Sequence, residues 1–281
     1  MIVVGSVWFA FLLTVFAGLS TGIGSLIALF TKKVSNHILA ISLGFSAGVM
    51  IYVSMVEIFV KALDSLTLAY GGQGGFLATN LAFFAGMLII GLIDKILPSE
   101  QNPHDFNQAS HMHDEEGKQI LIDGVKERED RSKLMRTGVF TALAIAIHNF
   151  PEGLATFISA LQDPTIAIPI VVAIAIHNIP EGMAVSYPIY YATGSKKKAF
   201  LYSFASGLSE PIGAIIGYLI LMPFMNDVVY GILFGVVAGI MVYISIDELL
   251  PSAQEYGEHH LSIYGMIAGM IVMSVSLWLF K

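Results

Sequence analysis

Apolar residues occupy this chain in long blocks, and polar residues gather between them. Eight blocks stand out, at residues 2–30, 38–60, 76–93, 137–161, 165–191, 199–222, 228–246 and 261–280. Each is at least 18 residues long, and a helix of roughly 20 apolar residues crosses a hydrocarbon core about 30 Å thick. The pattern predicts an all-α integral membrane protein of eight transmembrane helices. Only the polar stretch 98–136 makes a long connection, so the helices are expected to form one bundle. Helices 1–3 are expected over residues 1–97, a cytoplasmic His- and acid-containing segment over 98–136, and helices 4–8 over 137–281, together one transmembrane domain. The first block lacks a preceding basic region and runs unbroken to Phe30, which predicts a membrane span rather than a cleaved signal peptide.

Charge placement predicts the topology. With both termini outside the cytoplasm, twelve of the fourteen Lys and Arg residues fall on the cytoplasmic side, and only Lys61 and Lys281 stay outside. Cytoplasmic loops carry such an excess of positive charge. A content of 56% hydrophobic and 12% charged residues excludes a soluble globule. The formal charge of −7 does not bear on nucleic acid, because nine of the 21 acids sit in 98–136. A bilayer is the expected partner, and nucleic acid is not. Cysteine is absent, so any metal site must use nitrogen and oxygen ligands.

Two blocks break the apolar rule at their centres, and in the same way. The block 137–161 contains His148-Asn149-Phe150-Pro151-Glu152-Gly153, and the block 165–191 contains His177-Asn178-Ile179-Pro180-Glu181-Gly182. Within each block the His and the Glu are the only side chains that carry charge near neutral pH. At ~1.5 Å per residue, His148 lies roughly 16 Å into its helix and His177 at a similar depth. Ionisable groups at mid-membrane are costly and mark ion or substrate routes.

His and Glu at i and i+4 share a helix face, while Asn at i+1 is turned away by about 100°. Proline at i+3 has no N–H and so frees the carbonyl of Ile147 or Ile176. Imidazole, carboxylate, amide and backbone oxygen together suit a borderline divalent transition metal. The bland alternative is a pair of buried, hydrogen-bonded His–Glu couples that only fix helix packing. The two helices run in opposite directions yet repeat one motif, the pattern of an alternating-access transporter.

Further candidates lie outside the repeat. Glu210, beside Pro211 in block 199–222, adds a third mid-depth carboxylate. Glu57, four residues before Lys61, reads either as an i,i+4 ion pair or as a residue that admits metal. Asp247 and Glu248, with Pro251, Glu255, Glu258, His259 and His260 beyond, form either an exit path or a solvated helix end. His104, His111 and His113, with Asp105, Asp114, Glu115 and Glu116, read as weak metal capture or as part of a disordered regulatory tether. Glycines four apart (Gly44 and Gly48; Gly213 and Gly217; Gly231, Gly235 and Gly239; Gly265 and Gly269) predict close helix contacts.

The two His-Asn-x-Pro-Glu-Gly repeats, Ser209-Glu210-Pro211, the Asp247-Glu248-Leu249-Leu250-Pro251 run and the His-bearing segment before helix 4 resemble the ZIP family of divalent metal transporters, its bacterial members above all. The likeness covers all eight blocks. It implies metal movement into the cytoplasm, external termini, a cell-membrane location, a homodimer and an elevator-like motion of helices 1, 4, 5 and 6 against 2, 3, 7 and 8. It implies His148, Glu152, His177 and Glu181 as primary ligands, and Asn149, Asn178, Glu152, Glu181 and Glu210 as an adjacent second site. Some family members carry Gln-Asp where this chain has His177-Asn178, which leaves the second site one negative charge poorer.

The expected function is therefore import of divalent ions, Zn2+ first and Fe2+, Mn2+, Co2+ or Cd2+ after it. The metal is the transported substrate, with no prosthetic group. An intramembrane metal-dependent hydrolase is the alternative, although the chain has no His-Glu-x-x-His sequence. A proton or organic-solute carrier that uses the His–Glu pairs without metal is the third reading.

Overall fold

The structure is a computed structural model that describes residues 4–30, 36–96, 119–162, 164–256 and 259–279. Every regular element in it is helical. In chain order they are α1 (Val4–Phe30), α2 (Asn36–Val53), α3 (Phe59–Ile96), α4 (Gln119–Gln162), α5 (Pro164–Thr193), α6 (Lys196–Gly207), α7 (Ser209–Ile216), α8 (Asp227–Ile244), α9 (Leu250–Tyr256) and α10 (His259–Leu279). Wider π-helical turns join α2 to α3 at Ser54–Ile58, extend α7 at Gly217–Leu221 and join α8 to α9 at Ser245–Leu249.

Among the described residues, six helical stretches are long and apolar enough to cross a membrane: Val7–Phe30, His37–Ile93, Ile170–Thr193, Lys196–Phe224, Asp227–Gln254 and His259–Leu279. The second is 57 residues long because it doubles back. Gly71 leaves the helix with φ 76° and ψ 172°, a conformation that only glycine adopts freely. Thr67 and Gly75 would lie about 12 Å apart along one helix. Instead, a Cβ on Gly75 would stand 2.5 Å from the backbone of Thr67. The sequence predicts a glycine-rich link of Gly71, Gly72, Gly74 and Gly75 between the blocks 38–60 and 76–93; only Gly71 departs from helix, so the flanking helices run on well past Val60 and begin before Phe76.

Two other features differ from the expected boundaries. Residues 119–136, assigned from sequence to the polar segment, are helical and form the first part of α4. The block 199–222 is broken at Leu208 between α6 and α7. Pro211 accounts for the break, since its ring and missing N–H deny Gly207 an i→i−4 partner. The carbonyl of Gly207 lies against Gly18, where a Cβ would come within 2.5 Å.

Packing sorts the helices into two groups. In one, α1, α4, α5, α6 and α7 touch one another; in the other, α2, α3, α8, α9 and α10 do. The groups meet where α2 and α10 pack on α5 and where α4 packs on α8. Every described glycine that sits tightly on another helix does so inside its own group. Gly24 lies on Ile179, Gly182 on Thr21, Gly153 on Glu210 and Gly213 on Phe150; in the other group Gly44 lies on Ser262, Gly48 on Met266, Gly86 on Val236 and Gly239 on Phe83. A backbone-to-backbone seat of this kind leaves no room for a side chain, so each group is locked within itself.

Candidate metal centre

Helices α4 and α5 are antiparallel, as Gly138 on Ile189, His148 on Glu181 and Glu152 on His177 establish, rising along one helix and falling along the other. That register sets the two hexapeptides opposite each other. The result is an exchange of partners. His148 Nε2 lies 3.2 Å from Glu181 Oε2, and His177 Nε2 lies 3.3 Å from Glu152 Oε1. Each imidazole thus faces the carboxylate of the other helix and not that of its own. The i,i+4 spacing puts His and Glu on one face, and the facing helix, not the helix itself, completes the pair.

All seven residues named for the site in the repeat and beside it are buried: His148, Asn149, Glu152, His177, Asn178, Glu181 and Glu210. Asn178 Nδ2 donates to Ala17 O at 3.1 Å and to Glu210 Oε1, which ties α7 to α5 beneath the crossing. His177 Nδ1 faces Ala173 O at 3.2 Å, one turn back. As the donor there, Nδ1 leaves Nε2 with a lone pair directed at the crossing.

Many polar atoms here have no hydrogen-bond partner among the described residues. They include His148 Nδ1, both amide atoms of Asn149, both oxygens of Glu152, His177 Nε2, Asn178 Oδ1 and Glu210 Oε2. The 3.3 Å approach of Glu152 to His177 is an ion-pair distance without hydrogen-bond alignment. A buried polar atom left unpaired costs about 1–3 kcal/mol, and such atoms cluster on the two hexapeptides. Their types, imidazole nitrogen, carboxylate and amide oxygen, form a donor set for a divalent cation. Among the described residues, however, no three His, Asp or Glu side chains converge as one metal shell. Imidazole and carboxylate stand pairwise, so an ion shared by both helices requires these side chains to re-aim.

Other residues singled out in the sequence lie elsewhere. Glu57 is buried in the π-turn Ser54–Ile58 and pairs with Lys61 Nζ at 3.1 Å. Asp247 and Glu248 are half-buried in the π-turn Ser245–Leu249, with Glu248 in electrostatic reach of His148. His259 and His260 are exposed at the start of α10. His104, His111 and His113, with Asp105, Asp114, Glu115 and Glu116, lie outside the described residues.

Several contributors were missed in the sequence. Ser46 of α2 reaches across the boundary between the helix groups, its Oγ 3.3 Å from both Glu181 Oε1 and His177 O. Thr156 and Ser159 line a narrow cavity with Glu152 and Lys61. Tyr230 of α8 hydrogen-bonds Ser159, a second polar link between the groups. Thr156 and Ser159 were recoverable, since they follow Glu152 by four and seven residues on one face. Ser46, one of two serines among the small residues of α2, gives no such signal.

Comparison with known proteins places these features. The profile of a family described as "ZIP Zinc transporter" matches residues 97–277. A protein named zinc transporter ZupT from Streptococcus mutans is 62% identical over 271 residues, covering 96% of this chain and 97% of its own. Proteins of the same name from Clostridium perfringens and Chlorobium chlorochromatii are 62% and 58% identical, each over 98% of this chain and over 97% and 98% of their own.

Proposed function

The chain belongs to the ZIP family of zinc transporters, and from that premise we propose that it imports Zn2+ through the crossing of its two hexapeptides. It is a multi-pass membrane transporter and not an enzyme, so the hydrolase alternative falls. The observation that carries the site is the exchange of partners, His148 with Glu181 and His177 with Glu152, in a buried cluster of unpaired donors.

In this reading, His148, Glu152, His177 and Glu181 hold the ion, and Asn149, Asn178 and Glu210 form an adjacent second site. Neutral imidazoles supply lone pairs and the carboxylates supply charge, so a dication replaces the His–Glu pairs with stronger contacts. Glu57 admits metal at the outer side, and Asp247 and Glu248 release it to the cytoplasm. Two helix groups, each locked by glycine contacts within itself, suit a motion of α1, α4, α5, α6 and α7 against α2, α3, α8, α9 and α10. The boundary between them carries side-chain contacts that can slide, Ser46 on Glu181 among them. Eight crossings, with α3 folded at Gly71 and α4 as the fourth, put both termini outside the cell membrane and satisfy the distribution of Lys and Arg. The family resemblance carries the homodimer and the wider ion range of Fe2+, Mn2+, Co2+ and Cd2+.

Uptake of radiolabelled zinc into proteoliposomes tests the site. Glu152→Ala and Glu181→Ala are each expected to abolish saturable uptake while the protein stays monodisperse in detergent. Uptake at the unsubstituted level in either variant, at equal protein content, would remove that carboxylate from the site.

A further inference from the structure

The cavity beside the hexapeptides contains a charge of the wrong sign for a cation route. Its polar lining is Glu152, Thr156 and Ser159 on α4 and Lys61 on α3, set among apolar walls that include Val53 and Phe234. From Glu152 to Ser159 the lining extends about 10 Å along α4. Lys61 Nζ is 3.1 Å from Glu57 Oε1, with the two side chains 21% and 9% exposed. A solvated i,i+4 pair on a helix surface would need no further account. Here the carboxylate is buried in a π-turn, and the lysine that neutralises it lines the same cavity as Glu152.

We propose that Lys61 is a tethered counter-cation that sets cation selectivity at Glu57. The inference rests on the reading above that Glu57 admits metal. The ammonium occupies the carboxylate while no divalent ion is bound to it. A dication has twice the charge to offer the carboxylate and displaces the ammonium, which swings toward solvent on its flexible four-carbon stem. A monovalent ion offers no charge advantage over the lysine already there, and a free K+ must also surrender its freedom, so it does not compete. Lys61 therefore weakens zinc capture slightly and in return keeps abundant monovalent ions off the vestibule.

The test measures zinc uptake in proteoliposomes, with K+ or N-methylglucamine supplied outside at equal ionic strength. Lys61→Met is expected to lower the KM for zinc roughly two- to fivefold, the scale of a part-exposed ion pair, with kcat within about twofold. Its uptake becomes inhibited by K+ relative to N-methylglucamine, which the unsubstituted protein and Lys61→Arg do not show. In Lys61→Met combined with Glu57→Gln, the K+ inhibition disappears. Equal KM and no K+-specific inhibition in Lys61→Met would overturn the proposal, as would the same phenotype in Lys61→Arg. Glu57→Gln alone separates the two readings. If it leaves KM unchanged, Glu57 does not admit metal; if it raises KM while Lys61→Met changes nothing, only the role of Lys61 fails. Lys61→Gln serves as a second neutral variant, and loss of a monodisperse protein in both would assign Lys61 to folding and overturn the selectivity role.

Discussion

His148 of α4 meets Glu181 of α5 at 3.2 Å, and no side chain of its own helix fills that place. The pair joins two antiparallel helices at buried positions within their apolar stretches, where an unpaired charge is expensive. Such pairing predicts a specific energetic coupling. In a thermal-stability cycle, His148→Ala and Glu181→Ala should be non-additive by ~0.5–3 kcal/mol, the range for residues in one network. His148→Ala with Glu152→Ala should couple less, although those two are closer in sequence. A larger coupling for the pair within α4 would return the site to two independent helices.

Ser46 belongs to the other helix group and still touches the site through Glu181 Oε1 and His177 O, each at 3.3 Å. Ser46→Ala removes a donor of ordinary strength, about 0.5–1.5 kcal/mol. Zinc affinity is expected to shift by roughly two- to tenfold, with protein yield unaffected. Isothermal titration on detergent-solubilised protein measures this. An unchanged isotherm would leave Ser46 as a packing residue.

Metal binding should weaken as pH falls from about 7 toward 5. Imidazole binds metal through a neutral nitrogen, and an ordinary histidine gains its proton across that range. The sign is that of proton competition: more protons, less metal bound. Equilibrium zinc binding at several pH values reads it directly. An isotherm independent of pH between 7 and 5 would argue against imidazole ligation.

The polar segment should be dispensable for the basic activity. The seven residues of the candidate site lie on α4, α5 and α7, and residues 119–136 form the leading part of α4. Excision of 104–116 is therefore expected to spare zinc uptake, because it leaves the helix intact. Complete loss of uptake in a correctly inserted excision variant would give the histidines of that segment an essential part in transport.

The sequence made some of this legible and hid the rest for physical reasons. His148, Glu152, His177, Glu181 and Glu210 stood out because no other side chain in their apolar blocks carries charge near neutral pH, and all five are buried. Spacing alone could not say which His meets which Glu. An i,i+4 pair satisfies itself as readily on paper as it satisfies a neighbour, and only the register of α4 on α5 decides. The turn at Gly71 was visible as a glycine-rich link, but nothing in Gly72, Gly74 or Gly75 revealed that these would remain helical. Residues 119–136 stayed ambiguous in the sequence, because the mixed charge from Lys126 to Lys133 fits either disorder or a frayed helix, and the structure has the helix. The π-turns around Glu57 and Glu248 leave no trace in hydrophobic periodicity, since a single wide turn shifts the phase too little to read.

The final prediction asks whether the two hexapeptides act on a single ion. His148 and His177 lie on opposed helices, each paired across the gap with the other helix's carboxylate. A zinc ion bound by both imidazoles would sit about 2.0–2.1 Å from each nitrogen. The pairwise arrangement seen here requires the side chains to turn inward for that to happen. If they do, His148→Ala and His177→Ala each break the same shell, and the double variant loses far less binding free energy than the sum of the single losses. If each histidine serves a separate site, the losses add within about 0.5 kcal/mol. Zinc affinity of both single variants and the double variant, at fixed pH and ionic strength, decides between these outcomes. Additive losses would preserve the repeat as a symmetry of the fold and end the idea of one shared centre.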